Sequence, residues 1–229
     1  MITYSAAKLC RLLAIGLSLL AVNACSVLRP STTPHPAFYS LDCPPGATSV
    51  IAPIAAPILM VNPPRAATGF DSQRIIYVRE PHKLEYFAHS EWVDPPARML
   101  APLLVAAIET TGVFRAVVLT PSAATGDMWL DTEIIRLQHE FQTQPSRVRF
   151  TLRSYLVDDK TRRVLAWHEF DATVAATSED PYGGVVAANR AVQAVLKDLS
   201  AFCAETASHR RTLDKGTVPS PSAAQVGRP

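Results

Sequence analysis

The stretch from Gly69 to Phe114, GFDSQRIIYVREPHKLEYFAHSEWVDPPARMLAPLLVAAIETTGVF, decides the fold. Arg74 to Val78 is β-branched and aromatic and is closed by Glu80-Pro81, so it reads as a strand. Lys83 to Phe87 reads as a second strand a few residues later, and the two form a hairpin. Trp92-Val93 then leads into Asp94-Pro95-Pro96. Asp94 is placed to cap a helix, and proline at a first helical position loses no needed donor. Leu100, Leu103, Leu104, Ala107, Ile108 and Thr111 recur with helical spacing and make one apolar stripe, which Gly112 ends.

Downstream, three long strands follow in order: Met128 to Phe141, Arg147 to Val157 and Val164 to Val174. The second alternates cleanly, with Val148, Phe150, Leu152 and Leu156 on one face and Arg147, Arg149, Thr151 and Arg153 on the other. In the third, Ala166, Phe170, Ala172 and Val174 face inward. The connections are of hairpin length, so the three make an antiparallel meander. If Val157 faces Arg163, Arg149 faces Asp171 as an ion pair and Arg153 faces Trp167 as a cation–π contact. A short strand at Val113 to Leu119 precedes the meander. Asp180-Pro181 repeats the cap signal, and Val185, Ala188, Val192, Val195, Leu196, Leu199, Phe202 and Cys203 form the stripe of a second helix.

Upstream, Ala37 to Asp42 and Ile58 to Val61 read as strands, the latter ended by Asn62-Pro63-Pro64. Between them, Pro44 to Pro57 is apolar but broken by proline. It is either an extended segment lying on the domain's own core or a contact to lipid or a neighbouring subunit. The expected architecture is one α/β domain over 37–206, a mixed, largely antiparallel sheet with two main helices packed against it. Residues 207–229 lack apolar periodicity and are expected to be a disordered tail.

At the N-terminus, Lys8 and Arg11 precede an apolar run from Leu12 to Val22 of about 11 residues, too short to span a bilayer and suited to a signal peptide over 1–24. Val22-Asn23-Ala24-Cys25 resembles a bacterial lipobox, which implies cleavage before Cys25 and acylation of that residue. Several acyl chains anchor stably where one does not. Ser26 follows the cysteine, which by the bacterial sorting pattern points to the outer membrane, facing the periplasm. Residues 25–36 are the lipidated tether, and eleven residues in polyproline geometry reach roughly 34 Å. Without Lys8 and Arg11 the chain balances 20 basic against 20 acidic residues, which gives no electrostatic footprint for nucleic acid.

No catalytic signature is present: no nucleophile elbow, phosphate loop or metal-ligand spacing among six scattered histidines, so no metal or cofactor is expected. His168 falls on the apolar face of its strand by parity and reads as a core histidine. Asp131, Glu133, Glu169 and Asp171 read as a solvated strand face. Once Cys10 leaves and Cys25 is acylated, Cys43 and Cys203 remain. In an oxidising compartment they either form a disulfide or stay as a loop thiol and a buried one.

Several of these features together, Gly69-Phe70-Asp71, the two strands, Trp92, Asp94-Pro95-Pro96-Ala97-Arg98 and the Leu-rich helix, resemble the ABC-type transport auxiliary lipoprotein family, which includes the lipoprotein of the paraquat-inducible system. The resemblance implies a non-catalytic docking component, anchored in the outer membrane. Its partner would be an inner-membrane ABC transporter with mammalian-cell-entry-domain subunits that moves lipid between the membranes. It also implies self-association into homo-oligomers. Two alternatives stand beside it: an outer-membrane assembly or lipopolysaccharide-export accessory lipoprotein, with the same anchor and a different partner, and a periplasmic hydrolase, against which the missing nucleophile constellation counts. Tyr86, Phe87 and Trp92, with Asp94 and Arg98 beside them, form the candidate partner interface, because aromatics and arginine concentrate at binding hot spots. Against that stands a packing role for Trp92, stapling the helix start onto the sheet.

Overall fold

Strand β7 (Met128–Glu140) is the spine of the molecule. The computed structural model describes residues 35–42 and 52–216. One edge of β7 pairs antiparallel along its whole length with β8 (Arg147–Asp158), which pairs antiparallel with β9 (Val164–Ala175). Its other edge is shared end to end by three short parallel partners: β2 (Ile58–Val61), β3 (Arg65–Ala66) and β4 (Arg74–Val78). Beyond β2 lies β6 (Ala116–Leu119), and beyond β4 lie β5 (Glu85–Trp92) and then β1 (Ala37–Tyr39). Among the described residues the sheet is therefore mixed, with nine strands, and its long antiparallel ladders run from β7 through β8 to β9 at one edge. Helices α1 (Pro96–Glu109) and α2 (Pro181–Gly216) pack on it and on each other. This is the expected α/β class.

The core lies between sheet and helices. β8 contributes Val148, Phe150, Leu152 and Leu156, all buried as their alternation requires. α2 contributes its whole predicted stripe, with Phe202 half-buried at its margin. α1 contributes Leu100, Leu104 and Ile108, each at 0% exposure. The core cluster from Leu41 to Ala207 belongs wholly to the unit that begins at Pro36.

Several sequence expectations are corrected. Asp94 does not cap α1. Pro95 holds the N-cap position without a side-chain bond, and Asp94 pairs with Arg98 at 3.5 Å instead. A residue before proline is driven out of helical geometry, so Pro95 ahead of Pro96 must be the cap. Asp180 does cap α2, accepting the Gly183 N–H at 2.7 Å. The second hairpin strand runs to Trp92 rather than ending at Phe87, because Ser90, Glu91 and Trp92 pair with β1, a partner distant in sequence. β1 ends at Tyr39, short of Asp42, and the strand expected from Val113 begins at Ala116. In the last hairpin the register is shifted by two residues, with a bulge between Leu156 and Val157 and Arg162 at φ 56°. Arg153 consequently faces Glu169 (2.7 Å), and Trp167 stacks on Tyr155 (centroids 6.3 Å). The Arg149–Asp171 pair forms nonetheless at 2.9 Å, reached diagonally.

The start of the tail expected over 207–229 is also corrected. α2 continues to Gly216, Ala207 is buried, and Arg210 bonds Asp158 at 2.6 Å. A tertiary ion pair thus extends a helix whose own composition signals an end. Residues 217–229 lie outside the described residues. In the proline-broken connector, Ile54 is exposed and Ala56 buried, while 44–51 lie outside the described residues.

Candidate functional site

The β4–β5 hairpin places the candidate interface, and one irregularity in it matters. Between the Arg74↔Glu91 and Ile76↔Tyr86 pairs, β4 advances by two residues and β5 by five. That odd excess restores Trp92 and Phe87 to the same side of the sheet. Trp92 is 3% exposed and belongs to the core. Phe87 packs on Tyr77 (centroids 4.6 Å) beside Phe141. Tyr86 points the other way, as adjacent strand residues must. It is 51% exposed, under the Arg74 guanidinium at 4.2 Å. Both residues nevertheless border a cleft of about 390 Å³ that Tyr77, Arg79, Phe141 and Glu179 also line, Phe87 with its ring packed on Tyr77 and Tyr86 at the exposed rim. Arg79 lies over the Tyr77 ring (4.9 Å) and donates to the Tyr77 hydroxyl at 2.6 Å. That bond, and Glu85 nearby, hold the guanidinium above its ordinary pKa. Asp94 and Arg98 pair with each other at the head of α1. They do not line this cleft.

Behind the cleft is a cluster that the sequence reading did not single out. His139, on β7, is 2% exposed, and its Nε2 lies 2.7 Å from the Ser146 hydroxyl. The Ser146 N–H donates to Glu179 Oε1 at 2.8 Å. Nδ1 of His139 has no hydrogen-bond partner among the described residues and faces Gly184, where an added Cβ would come within 2.4 Å. Gly184 is thus the residue that lets α2 close on β7. Burial pushes the His139 imidazole below its ordinary pKa, and Glu179 and Asp180 pull it partly back. The strand parity that buries Leu137 also buries His139, and that signal was available in the sequence. The group has a nucleophile's atom types without a nucleophile's access, since Ser146 is at 0% exposure and no carboxylate orients Nδ1.

His168, expected in the core, is exposed. β9 is an edge strand, and the ring rests against Phe170 and Phe202 at its margin. On the opposite face of the sheet the carboxylates have partners: Asp171 with Arg149, Glu169 with Arg153, and Asp131 accepting the Asn62 amide at 2.7 Å. Among the described residues no group of three or more His, Cys, Asp or Glu could hold a metal ion, and no helix is long and apolar enough to cross a membrane. Cys203 is a free thiol at 0% exposure, and burial pushes its pKa up to about 12. Cys25 and Cys43 lie outside the described residues.

Comparison with solved structures supports the architecture. Protein XCC0632 from Xanthomonas campestris, of family-model DUF330, superposes with a TM-score of 0.66 at 23% identity, covering 76% of this chain and 98% of that one. An uncharacterized protein superposes at 0.58 and 11% identity, covering 74% and 99%. No curated protein matches the sequence. The model of the ABC-type transport auxiliary lipoprotein component matches residues 39–200, from β1 to the middle of α2, so the chain belongs to that family.

Proposed function

We propose that the protein is an outer-membrane-anchored, periplasm-facing docking component, without catalysis of its own, of an ABC-type system that moves lipid between membranes through mammalian-cell-entry-domain subunits. The observation that carries this reading is the family match, which spans nearly the whole folded domain. The Cys25 lipobox supports the anchor, and Ser26 after it supports the outer membrane. Self-association into a homo-oligomer belongs to the same reading. The partner meets the Tyr86–Phe87 cleft, an aromatic concavity with Arg79 and Glu179 on its wall, and the Asp94–Arg98 pair lies outside it as surface. Trp92 supports this surface from inside.

Co-purification from solubilised membranes tests the proposal. The lipidated chain is expected to retain the mammalian-cell-entry subunit, and Tyr86→Ala is expected to lose it while melting nearly as before. Retention of outer-membrane assembly or lipopolysaccharide-export proteins instead would overturn the assignment.

A further inference from the structure

The His139 cluster lies between the Tyr86–Phe87 cleft and the start of α2, and it touches both. The His139 ring packs on Phe141 (centroids 4.1 Å) and beside Phe87 (6.3 Å), two of the rings that line the cleft. Glu179, on the cleft wall, is held by the Ser146 N–H, and the Ser146 hydroxyl meets His139 Nε2. The cleft floor, its wall and the buried imidazole are thus joined through Ser146.

A neutral imidazole suits this place and a charged one does not. Nδ1 faces Gly184, and Ile75, Trp92, Leu137, Val148 and Ala188 lie around the ring. An imidazolium carries a donor on both nitrogens, and a buried donor needs an acceptor. Each element packed on the ring offers something different. β4 brings Tyr77 and, beyond it, Arg79, which is turned to the Tyr77 hydroxyl and to Glu85. β5 brings Phe87 and β8 brings Val148. The turn before α2 brings two carboxylates, Glu179 and Asp180, whose charge acts on the ring. Both are already engaged. Glu179 accepts the Ser146 N–H at 2.8 Å, and Asp180 accepts the Gly183 N–H at 2.7 Å and the Ser178 hydroxyl at 2.9 Å. Those donors, the Ser146 N–H first for Glu179 and the Gly183 N–H first for Asp180, hold both carboxyls below their ordinary range. Both are therefore ionised at any pH where a histidine begins to charge. To meet an imidazolium, one of them must leave its donor. Departure of Glu179 frees the Ser146 segment and the cleft wall. Departure of Asp180 uncaps α2, whose first turn rests on the ring through Gly184. We propose that His139 is a proton-operated latch on the cleft: proton uptake by the buried ring draws Glu179 or Asp180 off its donor, loosens the start of α2 and releases the bound partner in acid. The latch stands on this geometry, and only its effect on the partner rests on the cleft being the docking site.

Amide hydrogen exchange of the full lipidated chain in detergent, read by mass spectrometry, tests the latch without any partner. Protection of the segments holding Ser146 and Gly184, corrected for intrinsic exchange, is expected to fall roughly ten-fold from pH 7.5 to 5.5. The fall should not depend on urea below the unfolding transition, as befits a local opening, whereas exchange in β8 should. His139→Gln keeps a side-chain partner for Ser146 but takes up no proton, and its protection is expected to be the same at both pH values. Unchanged protection in the wild-type chain overturns the latch, and so does a fall that shares the urea dependence of β8. An equal fall in a folded His139→Gln overturns it as well, and the wild-type profile decides alone if that variant does not fold. Retention of the mammalian-cell-entry subunit is expected to drop at pH 5.5 in the wild type and to persist in His139→Gln. Full retention at pH 5.5, with Tyr86→Ala still abolishing it at pH 7.5, overturns the link from latch to partner. Retention by Tyr86→Ala at pH 7.5 would sink the docking reading of the cleft and leave the exchange result standing.

Discussion

At the scale of single residues, neighbours in sequence part company. Tyr86 and Phe87 are adjacent, yet one is exposed and the other packs on Tyr77. Trp92 sits wholly inside, so Trp92→Ala is expected to cost about 3–5 kcal/mol and lower Tm by about 10 °C, read by calorimetry. Its folded fraction should still bind the partner, in contrast to Tyr86→Ala. His139 sets a pH dependence. The unfolded chain takes up this proton near pH 6.5, while the buried ring takes it up only at lower pH. Below about 6.5 protonation therefore favours unfolding, and the stability contributed by the neutral ring is lost as pH falls through its folded value. Denaturant midpoints are expected to drop between pH 7.5 and 5.5, and His139→Gln should flatten that drop. An unchanged slope in the variant would remove His139 as the cause. Cys203 is expected to ignore maleimide in the native state and to react in guanidinium without reductant. Failure to react there would restore the Cys43–Cys203 disulfide.

At the scale of elements, the termini of α2 hold it to the sheet. At the start, Gly184 allows helix and strand to touch, and Gly184→Ala drives a Cβ into the His139 ring. That overpacking is expected to cost about 1–3 kcal/mol by urea denaturation. At the far end, Arg210 closes on Asp158, whose carboxyl is held below its usual pKa, chiefly by the Thr161 N–H. Arg210→Ala leaves that carboxylate buried with fewer partners and is expected to cost about 2 kcal/mol. Amide exchange should then rise selectively near Ala207, and uniform exchange along α2 would contradict the clamp. Composition read this segment as tail because Arg210's partner, Asp158, lies at the end of β8, far back in the chain.

At the scale of the whole molecule, an anchor, a tether and one folded unit divide the work proposed for the chain. Changing Cys25 to Ala is expected to move the mature domain from the membrane pellet to the soluble fraction, read by fractionation and intact mass. A domain that stays with membranes would locate the anchor elsewhere. The sequence by itself determined what depends on local periodicity: the α/β class, three long strands, two helical stripes and the family motifs at Gly69–Arg98. Periodicity reports which face of an element is apolar, and that face is buried whatever covers it. The tertiary structure decided what depends on partners far along the chain. These include the parallel pairing of β1 with residues 90–92, the two-residue strand at Arg65, the shifted register at Arg153, and the reach of α2 past Ala207. It also decided the sites. Trp92 went into the core because the hairpin inserts an odd number of residues, and Tyr39 met Tyr182 because β1 docks beside α2. No local pattern encodes either outcome, since each is set by contacts between segments that the chain brings together only on folding.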